Sequence, residues 1–396
     1  MSSLANRFDS RMTIYLIVLM GTLVHIGFTG SRVAVSLYAL NQGANQIEIG
    51  ALVALYAVCP ALLSIVIGKF SDRVATRVPM IIGAAGVGIA LLLPVTSPGI
   101  AVLFAVSFLV GLFNQTFNIP MEAILGGIGG VDKRARNYAL AGMGFSTASF
   151  FGPLLTGFAI DHIGYLHVFP ILAAFTLAPI LILWFMPTLL PKVTKHSSAE
   201  KRGSILDLWR IPALRSTFIA GGIIASAWDL FQFYLPIYGH SIGLSASAIG
   251  TIIGTVAIAT FVVRGIVPLL VKKLTETQIM TYSIFISALA FVLLPFFVNP
   301  YALAGIGFLI GMGIGCAQPI SMSLIYVMTP RGRVAEATGL RKTVNQSTHL
   351  VIPLIFGSVG AAFGFMTVFL STAIILAAGG FLMQKTRVPT PDSAGK

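Results

Sequence analysis

The sequence predicts an all-α membrane protein in which twelve transmembrane helices form two pseudo-symmetric six-helix bundles. Three observations lead there. Hydrophobic residues fill 56% of the 396 positions and charged residues only 9%, with mean hydropathy +0.93. A water-soluble domain carries about 25% charged residues, so the outer face of this chain is not built for water. Apolar runs of about 20 residues, enough to cross a hydrocarbon core of about 30 Å, recur along the whole chain. Finally, the chain repeats itself at an offset of two hundred residues.

Runs of this kind must be helical, because lipid offers no partner to an unpaired backbone group. The strict alternation of an outer-membrane barrel is absent. Breaks at Pro, Gly and polar clusters place the spans near 12–40, 47–70, 77–95, 100–128, 136–161, 165–187, 214–240, 247–270, 277–298, 300–328, 335–361 and 365–384. The first apolar run is too long for a signal-peptide core, so a retained span is expected. Cys59 and Cys316 both fall inside spans and suggest neither a disulfide framework nor a metal cluster.

The net charge of +13 reads as topology. Lys69, Arg73, Arg77, Lys133, Arg134, Arg136, Lys272, Lys273, Arg331 and Arg333 lie on one side, together with the basic stretch from Lys192 to Arg215. The opposite turns, such as Asn41–Gln46 and His240–Ser245, hold neither Lys nor Arg. The positive-inside rule makes the basic side cytoplasmic, with both termini on it, in a bacterial inner membrane. No basic stripe with interleaved aromatics points to nucleic acid.

In the repeat, Tyr38, Gly43 and Gly50 match Tyr238, Gly243 and Gly250, and Phe108–Gly111 matches Phe308–Gly311. Pro153, Gly157, Gly164 and Phe169 match Pro353, Gly357, Gly364 and Phe369. Gly and Pro set backbone geometry and close helix approach, so their recurrence in one register marks a duplicated unit. The expected domains are an N-terminal bundle over 1–188, a polar cytoplasmic linker over 189–212 and a C-terminal bundle over 213–396.

After the second span, Gly68-Lys69-Phe70-Ser71-Asp72-Arg73-Val74-Ala75-Thr76-Arg77 is similar to the GxLaDrxGrk motif of the major facilitator superfamily, and the chain resembles that family along its whole length. The resemblance implies the major facilitator fold and secondary transport by alternating access. It implies a conformational latch at Gly68, Asp72, Arg73 and Arg77, with a glycine for close approach and charges at a helix end. Phe70, Ala75 and Thr76 depart from the motif, and the second copy lacks the acidic residue. Phe151-Gly152-Pro153-Leu154-Leu155-Thr156-Gly157 looks like the core of the antiporter motif of drug and metabolite exporters, with a helix kink at Gly152, Pro153 and Gly157. The arginine usual in the fourth span of proton-coupled drug exporters is not evident; Phe113-Asn114-Gln115 occupies that region.

Polar groups inside spans cost about 2.5–3.5 kcal/mol each when charged, so each is a functional candidate. His25, Thr29, Arg32 and Ser36 share one face of span one; Gln115, Asn118 and Glu122 share one of span four, beside Asn114. Span seven offers Asp229 and Gln232, span ten Gln318, and span eleven Lys342, Asn345 and His349 with Arg341 adjacent. His25, Arg32, Asn114, Gln115, Asn118, Gln232, Gln318, Asn345 and His349 are therefore expected to bind substrate. Asp229, near the midplane, is expected to carry the coupling proton unless it forms a static pair with Arg32 or another buried cation. Arg264, Arg341 and Lys342 could hold an anion, or snorkel to the interface.

The favoured reading is proton-coupled export of a small organic solute; the alternative is uptake or exchange of an organic anion. No Walker loop, HExxH, paired CxxC or nucleophile elbow is present, so no enzymatic activity, cofactor or metal is expected. One chain supplies a complete pathway, so a monomer is expected.

Overall fold

The computed structural model describes residues 10–74, 76–128, 131–186, 190, 205–330 and 333–386. Among them the regular structure is helical throughout: α1 (Ser10–Asn41), α2 (Gln46–Arg73), α3 (Arg77–Thr96), α4 (Ile100–Gly127), α5 (Val131–Ile163), α6 (Tyr165–Phe185), α7 (Ile205–Arg210), α8 (Pro212–Ser241), α9 (Ala246–Leu270), α10 (Glu276–Leu293), α11 (Pro300–Met328) and α12 (Val334–Gln384), with a short 3-10 turn after α10.

Among the described residues, eleven helices are long and apolar enough to cross a membrane. The last covers 49 residues, Glu336–Gln384. At about 1.5 Å per residue it would be more than twice as long as a bilayer core is thick. Gly364, at φ 78° and ψ 176°, interrupts it. This stretch therefore supplies both of the last two predicted spans. Large apolar side chains such as Leu62, Phe185, Phe363 and Ile374 are exposed. In water they would form a sticky patch; in lipid they meet the surrounding solvent.

The residues divide into two compact units: Met1–Ser197 with Gly239–Gly254, and Ser198–Tyr238 with Thr255–Lys396. In the first, α1 packs on α5 and α6, and α3 on α4 and α6. In the second, α10 packs on α11 and α12. There α7, inside the expected linker, seats Leu208 in a buried cluster with Leu214, Phe218, Ile325 and Ala337.

The duplication is visible contact by contact. Tyr38 packs on Tyr165 and Phe169, at ring separations of 6.0 and 6.2 Å. Tyr238 packs on Phe365 and Phe369, at 5.5 and 5.3 Å. A Cβ on Gly111 would strike the backbone of Tyr56, and one on Gly311 the backbone of Val256. The helix ends match too. Gly43 (φ 85°) and Gly243 (φ 77°) both close a Schellman turn. Ala44 N–H donates to Ala39 O and Leu244 N–H to Gly239 O, each at 2.9 Å. Only a residue without Cβ takes this left-handed conformation cheaply.

The helix starts beyond these turns differ. Asn45 opens α2 with a capping box: its Oδ1 accepts from Ile47 N–H and Glu48 N–H at 2.9 Å, while Glu48 Oε2 accepts from Asn45 N–H at 2.8 Å. The second copy has Ala248 where the first has Glu48. Its two leading amides turn instead to Asp161, in the last turn of α5: Ala246 N–H donates to Oδ1 at 3.1 Å, and Ser247 N–H to Oδ2 at 2.8 Å. The Ser247 hydroxyl donates to the same oxygen.

Candidate functional site

In the second unit, α8 carries Asp229, fully buried in an apolar helix. Against its Oδ2 lies Nδ1 of His349 from the first half of α12. The carboxylate side chain is 1% exposed and the imidazole 34%. Oδ1 has no hydrogen-bond partner among the described residues. The ion-pair partner of Asp229 among the described residues is thus a histidine, charged only when protonated. Of the two, the imidazole is the more accessible member.

The spacing of Arg341, Asn345 and His349 puts them on one face of α12. Arg341 and Asn345 line a small cavity with Gly221, Ile224 and Ala225 of α8 and Ala317, Gln318 and Ser321 of α11. Arg264 Nη2 donates to Gln318 Oε1 at 3.3 Å. Ser321 is 2% exposed, and its Oγ and the Oδ1 of Asn345 are buried with no partner among the described residues. Buried polar atoms are normally satisfied, so such orphans point to a ligand or water. The structure thus brings Gln318, Arg341 and Asn345 together. Lys342 is exposed, although adjacent in sequence, and Gln232 is only partly buried on α8.

In the first unit, Asn114 and Asn118 share a face of α4, and each has a buried Oδ1 with no partner among the described residues. Gln115 Nε2 donates to Ser64 Oγ of α2 at 3.3 Å. His25 of α1 stacks on Phe28 at 5.4 Å and lies tilted against Phe145 at 4.8 Å, and its buried Nδ1 is unpartnered among the described residues. Arg32 is partly buried about two turns further along the same face. Thr29 is structural: its hydroxyl donates to His25 O of α1 and to Ala148 O of α5.

Gly68, expected to allow close approach, faces open space: a Cβ there would meet nothing within 4 Å. The side chains of Asp72 and Arg73 lie outside the described residues. Arg77 has a local task. Its Nε donates to Leu183 O at 2.7 Å and its Nη2 to Trp184 O at 3.0 Å, satisfying orphan carbonyls at the end of α6. At the expected kink, Pro153 lies in the interior of α5. Gly152 and Gly157 also make a packing seam. A Cβ on Gly152 would come within 2.9 Å of Gly30 N, and one on Gly157 would strike the backbone of Ala246. Thr156, which replaces a motif glycine, donates to Gly30 O at 3.2 Å.

Two residues escaped sequence reading. Ser321 follows Gln318 by one helical turn, and that spacing is a signal, though a weak one for so common a residue. Asp161 reveals itself only through the missing acid at Ala248, which the repeat alignment exposes.

The Major Facilitator Superfamily pattern matches residues 17–353. The multi-drug resistance efflux pump PmrA of Streptococcus pneumoniae serotype 4 is 22% identical over 349 residues, covering 85% of this chain and 86% of its own. The multidrug resistance protein MdtG of Salmonella choleraesuis is 24% identical over 314 residues, 77% of each chain. Among solved structures, an inward-facing, unoccupied bacterial homologue of the human lysosomal transporter Spinster superposes with TM-score 0.78 at 15% identity, covering 97% of this chain and 100% of that one. A peptide transporter POT in complex with sulfate gives TM-score 0.77 at 15% identity, covering 94% and 93%. The match across most of the chain, on a membrane-spanning fold with orphan polar groups inside it, means that the chain belongs to the Major Facilitator Superfamily of membrane transporters.

Proposed function

We propose that the protein exports a small organic solute across a bacterial inner membrane in exchange for protons, with both termini cytoplasmic and one chain as the working unit. Bundles 1–188 and 213–396, joined by the linker 189–212, expose the pathway to each side in turn. The observation that carries this reading is the Asp229–His349 pair, a buried carboxylate set against a histidine. A carboxylate held in an apolar helix is cheap only when protonated or paired. Proton arrival at His349 and solute departure can therefore be linked through the charge on Asp229. The names of PmrA and MdtG, efflux and multidrug resistance, support export.

The test is ethidium flux in proteoliposomes under an imposed pH gradient. Asp229→Asn and His349→Gln are expected to abolish gradient-driven accumulation while leaving downhill equilibration. Full gradient-driven transport by Asp229→Asn would overturn the assignment.

A further inference from the structure

The cavity between α8, α11 and α12 contains more unanswered donors than a resting protein needs. Arg341 is half-buried, lines the cavity, and has no hydrogen-bond or ion-pair partner among the described residues. An unpaired guanidinium inside a membrane helix is costly, and its fixed fork of donors suits one kind of group, a planar oxyanion. Ser321 Oγ opens onto the same space, in a side chain 98% buried by virtue of its 2% exposure, with no partner among the described residues. A Cβ on Gly221 would stand 3.3 Å from that oxygen, so the glycine keeps the wall of α8 back from it. Gln318 completes the rim. Because Arg264 can only donate, the Oε1 of Gln318 faces it, which leaves the amide N–H groups to the other side.

We infer that this cavity is a carboxylate subsite, with Arg341 as the anion clamp, Ser321 and the amide of Gln318 as further donors, and Arg264 as the residue that positions Gln318. The inference rests on the transport reading and adds organic molecules bearing a carboxylate to the solutes it covers. Two features set it apart from a general basic patch. Lys342 takes no part, being exposed beside the cavity and not lining it. The orphan Ser321 hydroxyl is a burden to the empty protein, which an incoming oxyanion or a bound water relieves.

The probes are benzoate, benzyl alcohol and benzylamine, which share a ring and differ in the polar head. They are added to purified full-length protein, with binding followed by calorimetry and by thermal shift. Benzoate is expected to bind and raise the melting temperature; the neutral and cationic probes are not. Arg341→Gln should weaken benzoate at least tenfold, with Arg341→Lys between it and the parent. Ser321→Ala should weaken benzoate severalfold while leaving the unliganded melting temperature equal or higher, a combination that a packing role would not produce. Equal binding of all three probes, or of none, overturns the subsite, as does benzoate affinity within twofold of the parent in Arg341→Gln. The two readings fail separately. Proton-driven ethidium flux with no benzoate binding removes the subsite and keeps the cycle. Benzoate binding through Arg341 with no flux of any solute removes the cycle and keeps the subsite.

Discussion

Replacing Asp161 with alanine removes the acceptor for the first two backbone N–H groups of α9. An α-helix leaves its leading amides without internal partners, and each must be satisfied from outside. At α9 the set is complete: Asp161 takes Ala246 and Ser247, Ser245 Oγ accepts from Ala248 N–H at 3.2 Å, and Ser245 O accepts from Ile249 N–H at 3.1 Å. Loss of a capping side chain costs about 0.5–2 kcal/mol. The negative charge at a helix start adds about 0.3–1 kcal/mol. Asp161 is exposed, so water replaces part of what is lost and screening trims the charge effect. The expected cost is therefore about 1 kcal/mol, equivalent to a fall of about 2–4 °C in melting temperature for a unit of this size. Asp161→Asn keeps an acceptor and loses the charge, so it should fall between parent and alanine. Thermal unfolding of the purified protein by tryptophan fluorescence measures both. The capping argument fails if Asp161→Ala melts with the parent, or if Asn and Ala are equally destabilising. A rescue is also expected: Ala248→Glu in the Asp161→Ala background restores the acid that the first repeat carries at Glu48, and should recover part of the loss.

Gly364→Ala and Gly164→Ala should each cost about 1–3 kcal/mol in unfolding experiments, because both glycines sit at φ near +80° with extended ψ, a region closed to side chains. Gly83→Ala should destabilise by about 1–3 kcal/mol, since its Cβ would come within 2.6 Å of Phe117 N and 2.8 Å of Phe113 O. Gly68→Ala, facing open space, should leave the melting temperature unchanged or slightly raised. If it nonetheless slows ethidium flux severalfold, the glycine is needed in another state of the cycle, as the latch motif implies. Arg77→Ala should cost about 0.5–1.5 kcal/mol through the hydrogen bonds lost at the end of α6, with Arg77→Lys losing less.

Much of the fold was legible because its signals are one-dimensional. A span is recognised by its length and its dislike of water, and neither depends on what packs beside it. The glycines at 43 and 243, or 164 and 364, mark backbone conformations that few other residues tolerate, so the repeat survives as a pattern in the chain. Candidate polar residues were legible for the same reason, since lipid makes each conspicuous. Their partners were not. Whether Asp229 meets Arg32 or His349 depends on the rotation and crossing of helices far apart in sequence, which hydropathy leaves open.

The sequence by itself thus determined the membrane class, the positions of the spans, the duplication and the stock of polar groups within the spans. Only the tertiary structure decided that Asp229 pairs with His349, that Arg77 closes α6, that Gly152 and Gly157 form a seam, and that Asp161 accepts from the first two amides of α9. The physical reason is the range of the forces. Transfer into lipid acts on each segment alone, whereas hydrogen bonds and close packing act within about 3–4 Å and exist only once neighbouring helices are in register.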